Sequence, residues 1–156
     1  MSKKTVITVA ITFVATTILW IGIVIGLYWF YYGSEPPFRV VLNHPAEVTL
    51  GSEFAVAVAV ENSSDQPATL GSIDIYNSLL DGFELISSRP AFVGVDDVLN
   101  FQTLWYQTEL QPDSPRTFTL TFRATRPGRH GGQLDVCTPT EVCTTVYATI
   151  AVGEGG

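Results

Sequence analysis

Charge is missing from one long stretch of this chain. From Thr5 to Tyr32, twenty-eight residues pass without a charged side chain. A bilayer core roughly 30 Å thick is crossed by about 20 apolar residues in a helix, so this run is long enough to span it. A cleavable signal has an apolar stretch of only about 7–15 residues and ends in small side chains. This run ends in Tyr28-Trp29-Phe30-Tyr31-Tyr32, bulky rings that suit the headgroup level and not a signal peptidase. The sequence therefore predicts an uncleaved transmembrane helix over residues 5–32, with Tyr28, Trp29, Tyr31 and Tyr32 at the membrane interface. Lys3 and Lys4 keep residues 1–4 in the cytoplasm by the positive-inside rule, which leaves the rest of the chain on the extracytoplasmic side of a cell membrane. Pro36-Pro37 ends any helix, because proline lacks the donor and clashes with the preceding turn, so 33–37 reads as a linker.

Lysine is missing as well: there is none after Lys4. Residues 33–156 hold six arginines and fifteen acidic residues, a formal charge of 6 − 15 = −9. Such a surface excludes nucleic acid as a partner and disfavours anionic lipid headgroups. Cysteine is scarce. Cys137 and Cys143, both external, flank Thr-Pro-Thr-Glu-Val, a loop that reads as a hairpin connection. Two thiols with no histidine near them beyond His130 are too few for a closed zinc site, and a redox-active pair more often reads Cys-x-x-Cys. A disulfide is expected, permitted by an oxidising compartment.

Reactive constellations are absent too. There is no Gly-x-Ser-x-Gly elbow, no phosphate loop and no His-Glu-x-x-His. His44 precedes Pro45 in a turn, and His130 lies in a glycine-rich loop; both read as surface turn residues. Asp96-Asp97 is an acidic pair without a surrounding calcium loop and reads as a solvated loop. Asn62-Ser63-Ser64 is a glycosylation sequon by pattern. The expectation is a protein that is not an enzyme and carries no metal and no cofactor.

What the sequence does have is alternation. Glu53–Glu61 places Phe54, Val56, Val58 and Val60 on one face and Ala55, Ala57 and Ala59 on the other, the period-two pattern of a half-buried strand. Thr117–Thr125 repeats it with Phe118, Leu120, Phe122 and Ala124 inward. Thr145–Val152 does so again, with Val146, Ala148, Ile150 and Val152 inward and Tyr147 outward; counting back along that outer face reaches Cys143. On the partner strand Leu134 and Val136 point in, so Asp135 and Cys137 point out. Further strands are expected at Phe38–Leu42, Ala46–Leu50, Thr69–Tyr76, Phe83–Ser87 and Leu99–Tyr106, separated by clusters such as Asn62–Pro67, Asp81-Gly82, Gln111–Pro115 and Arg126–Gly132. Trp105 reads as a core plug. The pattern is that of one all-β domain over 38–153, an antiparallel β-sandwich of seven or eight strands, with 154–156 as a tail.

The order Gly51-Ser-Glu-Phe-Ala-Val-Ala-Val-Ala-Val-Glu-Asn62, Asp65-Gln-Pro-Ala68, Leu80-Asp-Gly-Phe-Glu-Leu-Ile-Ser-Ser88, Leu110-Gln-Pro-Asp-Ser-Pro115 and Thr117–Thr125 resembles the conserved-repeat, adhesion-related immunoglobulin-like domains of bacterial and archaeal envelope proteins. The resemblance covers 38–152 and implies an immunoglobulin-like sandwich. It departs from the family's "Leu-x-Pro-Gly" turn at Asp113, which stands where glycine is usual. The domain also occurs once, where the family is often in tandem.

In the apolar run, Gly22-Ile-Val-Ile-Gly26 is a small-xxx-small motif. Thr8, Thr12, Ala15, Leu19, Gly22 and Gly26 fall on one helical face, and small residues allow another helix backbone to approach closely. Two functions follow. In the first, the protein is an accessory, stabilising subunit of a larger membrane complex. Its helix would pack on other membrane-protein subunits within the lipid bilayer, and its sandwich would cap their outer face. In the second, it is a free membrane-anchored module for surface binding or adhesion. The helical stripe, the small size and the single domain favour the first; the family resemblance favours the second.

Overall fold

A computed structural model describes residues 3–32 and 35–154; within the first span, side chains are described from 12 to 29. The chain divides into two compact units, Met1–Glu35 and Pro36–Gly156. The first unit contains one helix, α1 (Lys3–Tyr32). The second contains ten strands and a single helical turn: β1 (Phe38–Asn43), β2 (Glu47–Thr49), β3 (Glu53–Asn62), β4 (Ala68–Tyr76), α2 (Asn77–Leu80), β5 (Phe83–Arg89), β6 (Gly94–Val98), β7 (Phe101–Leu110), β8 (Arg116–Ala124), β9 (Gly128–Cys137) and β10 (Cys143–Gly153).

Within α1, the stretch Thr12–Trp29 is long and apolar enough to cross a membrane, with a mean hydropathy of 1.8. Hydroxyls in such a helix need partners, since lipid offers none. Thr16 and Thr17 find them in the preceding turn: Thr16 Oγ1 donates to the Thr12 carbonyl at 2.7 Å and Thr17 Oγ1 to the Phe13 carbonyl at 2.9 Å.

The second unit is a two-layer sandwich. One sheet has four strands in the order β1-β3-β8-β5, the other six in the order β2-β10-β9-β4-β7-β6. Every pair is antiparallel except β2 with β10, which run parallel at the edge of the larger sheet, a departure from the all-antiparallel expectation. The alternating faces meet between the sheets. Val56, Val58 and Val60 of β3 and Phe118, Leu120 and Phe122 of β8 face Ile73, Ile75, Leu104, Leu134, Val136 and Ile150 of the six-stranded sheet, all buried. Burying such side chains is the main favourable term in folding, about 25 cal/mol per Å² of apolar surface. Tyr106 and Phe118 add an edge-to-face contact across the layers, centroids 4.9 Å apart.

Asn62 continues the inward register of β3 and is fully buried, at 0 % exposure. Its amide is satisfied on every side. Nδ2 donates to the carbonyls of Gln66 (2.8 Å) and Leu110 (2.9 Å), and Oδ1 accepts from the Ser64 backbone N–H (3.0 Å) and hydroxyl (2.7 Å). Its carbonyl accepts from the Asp113 N–H at 3.0 Å. The sequon asparagine is thus the clasp that joins the turn after β3 to the turn after β7, with no free amide to modify. Asp113 itself adopts φ 52°, the left-handed conformation for which the related turn uses glycine.

Three sequence expectations are corrected here. Asp96-Asp97 lies in an edge strand, β6, not in a loop. His130 lies within β9, which begins at Gly128 inside the supposed turn cluster. Its ring packs edge-on to Phe83 with centroids 5.4 Å apart, and Nε2 stands 3.0 Å from the Arg126 carbonyl. Trp105 faces outward and is 38 % exposed. Its neighbours Leu104 and Tyr106 both reach the core, so period two sends the indole to the opposite face.

Candidate functional site

Register builds the outer face of the six-stranded sheet into transverse rows. One row reads Cys143, Cys137, Ser72, Trp105, Gly94; the next reads Thr145, Asp135, Asp74, Thr103, Asp96. The first row is closed by the disulfide Cys137–Cys143, as expected, between directly paired residues whose Cα atoms are 4.1 Å apart. The five-residue connection folds over the sheet and is tied by the Thr138 N–H to the Val142 carbonyl (3.0 Å) and the Glu141 N–H to the Thr138 carbonyl (3.0 Å). Glu141 supplies the sharp bend with φ 62°. The strand beneath makes room: β4 is irregular between Leu70 and Ser72, and a Cβ at Gly71 would stand 2.8 Å from the Pro139 nitrogen. Glycine at 71 is required by that close approach.

The loop, the disulfide and the strands β4, β7 and β6 enclose a cleft of about 440 Å³. Its walls are apolar, with Val98, Phe101 and Trp105 on one side and the Cys137–Cys143 bridge and Pro139 on the other. Its floor is polar. Ser72 and Thr103, each 4 % exposed, flank the half-buried carboxylate of Asp74.

Asp74 and Asp135 face each other across β4 and β9, yet their surroundings differ. Asp135 is held by the Thr145 hydroxyl at 2.6 Å, the Gln133 amide at 2.9 and 3.0 Å, and the Tyr76 hydroxyl at 3.2 Å. Asp74 Oδ1 is buried and has no hydrogen-bond partner among the described residues. Its Oδ2 lies 3.7 Å from Cys137 Sγ, a disulfide sulfur with no proton to give. Burial pushes the Asp74 carboxyl above the usual 3.8; the Thr103 and Ser72 hydroxyls stand close enough to offset part of the rise, and the negative charges of Asp135 and Glu141 add to it. On the rim, the Trp105 indole donates to Asp96 Oδ2 at 2.7 Å, which fixes the ring as a wall.

No sequence argument brought Asp74, Phe101 and Trp105 together. The signal was present in period two: Ser72, Asp74 and Tyr76 share the face of β4 opposite Ile73 and Ile75, as Trp105 shares the face opposite Leu104. Among the described residues no group of three or more His, Cys, Asp or Glu is arranged to hold a metal. The predicted helix stripe runs along an uninterrupted helix. Thr12, Ala15, Leu19, Gly22 and Gly26 are exposed within their unit, and among the described residues nothing beyond the adjoining turns of the helix's own backbone comes within 4 Å of a Cβ placed on Gly22 or Gly26. The side chains of Thr8, Tyr31 and Tyr32 lie outside the described residues; Tyr28 and Trp29 are exposed.

No protein-family model matches the chain, and no curated protein is similar to it in sequence. Solved structures are similar in fold. A cohesin module from a Clostridium perfringens family 33 glycoside hydrolase superposes with a TM-score of 0.52 at 15 % identity, covering 76 % of this chain and 98 % of the module. A Salmonella alpha-2-macroglobulin reacted with methylamine gives 0.52 at 21 % identity over 74 % of this chain, and the match spans 7 % of that much longer protein. Alpha-2-macroglobulin from Escherichia coli, from domain MG7 to the C-terminus, gives 0.50 at 20 % identity over 77 % of this chain and 17 % of that one. At such identities the likeness is one of architecture, and it establishes that the sandwich of this chain is immunoglobulin-like.

Proposed function

We propose that this protein is a non-catalytic binding module, anchored in a membrane by its N-terminal helix and displaying its sandwich on the extracytoplasmic side. The observation that carries the reading is the cleft over Asp74. A concave, apolar-walled site with one convergent polar group is the usual form of a binding pocket, and an unpaired buried carboxylate oxygen costs stability that an isolated structural domain has no reason to bear. The apolar stretch Thr12–Trp29 and the exposed Tyr28 and Trp29 support the anchor. The disulfide supports an oxidising compartment.

The test is position-specific cross-linking in intact membranes. A photo-reactive residue replacing Val98, exposed at the cleft, should give a discrete adduct. The same residue replacing Val41, exposed on the four-stranded sheet, should not. Adducts from both positions alike, or from neither, would overturn the reading.

A second reading, an accessory subunit held by its helix, is favoured by the open face at Gly22 and Gly26. Replacing both glycines with isoleucine keeps the helix apolar but blocks close approach of a second backbone. Under this reading copurification of other membrane subunits is lost while insertion and the sandwich persist. Ile21→Leu and Val24→Leu should be silent.

A further inference from the structure

We infer that the cleft over Asp74 takes a single cationic side chain, an arginine or lysine presented by a partner protein. The inference rests on the binding-module reading and names the chemistry of the occupant.

Charge comes first. Asp74 lines the floor and Glu141 the rim, while none of the six arginines of the sandwich unit lines the cleft. Arg39 pairs with Glu61, Arg123 with Glu53 and Glu84, and Arg116 stands over the Phe118 ring. With no lysine after Lys4, the domain supplies no cation of its own to this carboxylate. Shape comes second. The cleft, at about 440 Å³, has the volume for a long side chain, and it is lined by Phe101 and Trp105, rings of the kind that attract cations. Hydrogen bonding comes third. Asp74 Oδ1 is buried with no hydrogen bond of good geometry, only the Thr103 and Ser72 hydroxyls standing near the carboxylate, and it is completed by a group that carries only donors, as guanidinium and ammonium do. Asp135 cannot serve in this way, because its donors are already in place. Val98, exposed and lining the cleft, provides apolar surface for the partner around the inserted group.

The experiment uses the full chain in detergent micelles, labelled so that the Trp105 indole N–H is read by NMR. N-acetylarginine amide and N-acetylcitrulline amide are titrated to about 50 mM, since one inserted group is worth no more than millimolar affinity. Citrulline keeps the shape of arginine and removes the charge. Arginine amide should move the Trp105 signal along a saturable curve, with citrulline amide at least about tenfold weaker. Asp74→Asn should erase that preference, and Asp65→Asn, on an exposed turn, should leave it intact. Equal binding of the two amides to the unaltered chain, or no saturable shift with arginine, overturns the inference whether or not Asp74→Asn folds. A cross-link from position 98 together with no arginine response would show that the module reading stands and the occupant is of another class. Loss of both would remove the site itself.

Discussion

Asp74 and Asp135 stand opposite each other in antiparallel register, and only Asp135 is hydrogen-bonded through both of its oxygens. Like charges directly opposed across a strand pair are unfavourable. The structure resolves the conflict by dividing the roles: Asp135 is held in a net of Thr145, Gln133 and Tyr76, and Asp74 carries the cost of burial.

That division sets a pH dependence. The folded Asp74 carboxyl keeps its proton above 3.8, its ordinary value. Between 3.8 and the higher folded value the folded state binds more protons than the unfolded chain, so stability falls as pH rises through that window. The groups facing Asp74 are Asp135, Glu141, Thr103 and Ser72, and none of them is a cation. Asp74→Asn should therefore stabilise the sandwich at neutral pH, by less than about 1 kcal/mol because solvent screens this half-exposed group, with the gain fading below pH 3.8. Denaturant melts at the two pH values measure it; a variant less stable at neutral pH would mean that the carboxylate already has a stabilising partner.

Asn62→Ala removes four hydrogen bonds, among them those to the carbonyls of Gln66 and Leu110; only the Gln66 carbonyl has the Ser64 hydroxyl as a second donor. A loss of roughly 2–4 kcal/mol is expected. Native protein should also show no mass change on treatment with a glycan-removing enzyme. A glycan found on Asn62 would contradict its burial.

Trp105→Phe deletes an exposed indole and its bond to Asp96, at a cost below about 1 kcal/mol. Phe118→Ala, deep in the core at 0 % exposure, should cost about 3–5 kcal/mol. Thermal melts of the pair distinguish a rim tryptophan from a core one, and equal losses would return Trp105 to the core.

Replacing both Cys137 and Cys143 with alanine opens a bridge that encloses only a short loop. Closure entropy over so few residues is small, so about 2 kcal/mol is the most expected. The unaltered protein, measured intact without reductant, should show no thiol open to alkylation.

Legibility followed the alternation. Phe118, Leu120 and Phe122, or Val56, Val58 and Val60, announce a core face by period two alone, and the outward turn of the two cysteines followed from the same count. Trp105 reads as core by residue type, but its position between two inward neighbours turns it outward. β6 was missed because Asp96-Asp97 has poor strand propensity; pairing with β7, from Gly94 on Trp105 to Val98 on Phe101, overrides it. The cleft was invisible for a different reason. It is assembled from rows across β9, β4, β7 and β6, and row partners depend on register, which the irregularity at Gly71 sets and no local pattern encodes.

The parallel pairing of β2 with β10 carries a temporal consequence. Glu47, Val48 and Thr49 lie against Ala151, Val152 and Gly153, a separation of about a hundred positions that must close before the edge of the larger sheet exists. A ribosome emits α1 first and β10 after the other nine strands. Until Gly153 is out, β9 presents an open edge next to the half-built cleft, where a neighbouring strand can add. The nascent domain is thus exposed to mispairing until β10 arrives, and that interval is when a chaperone would have most to protect.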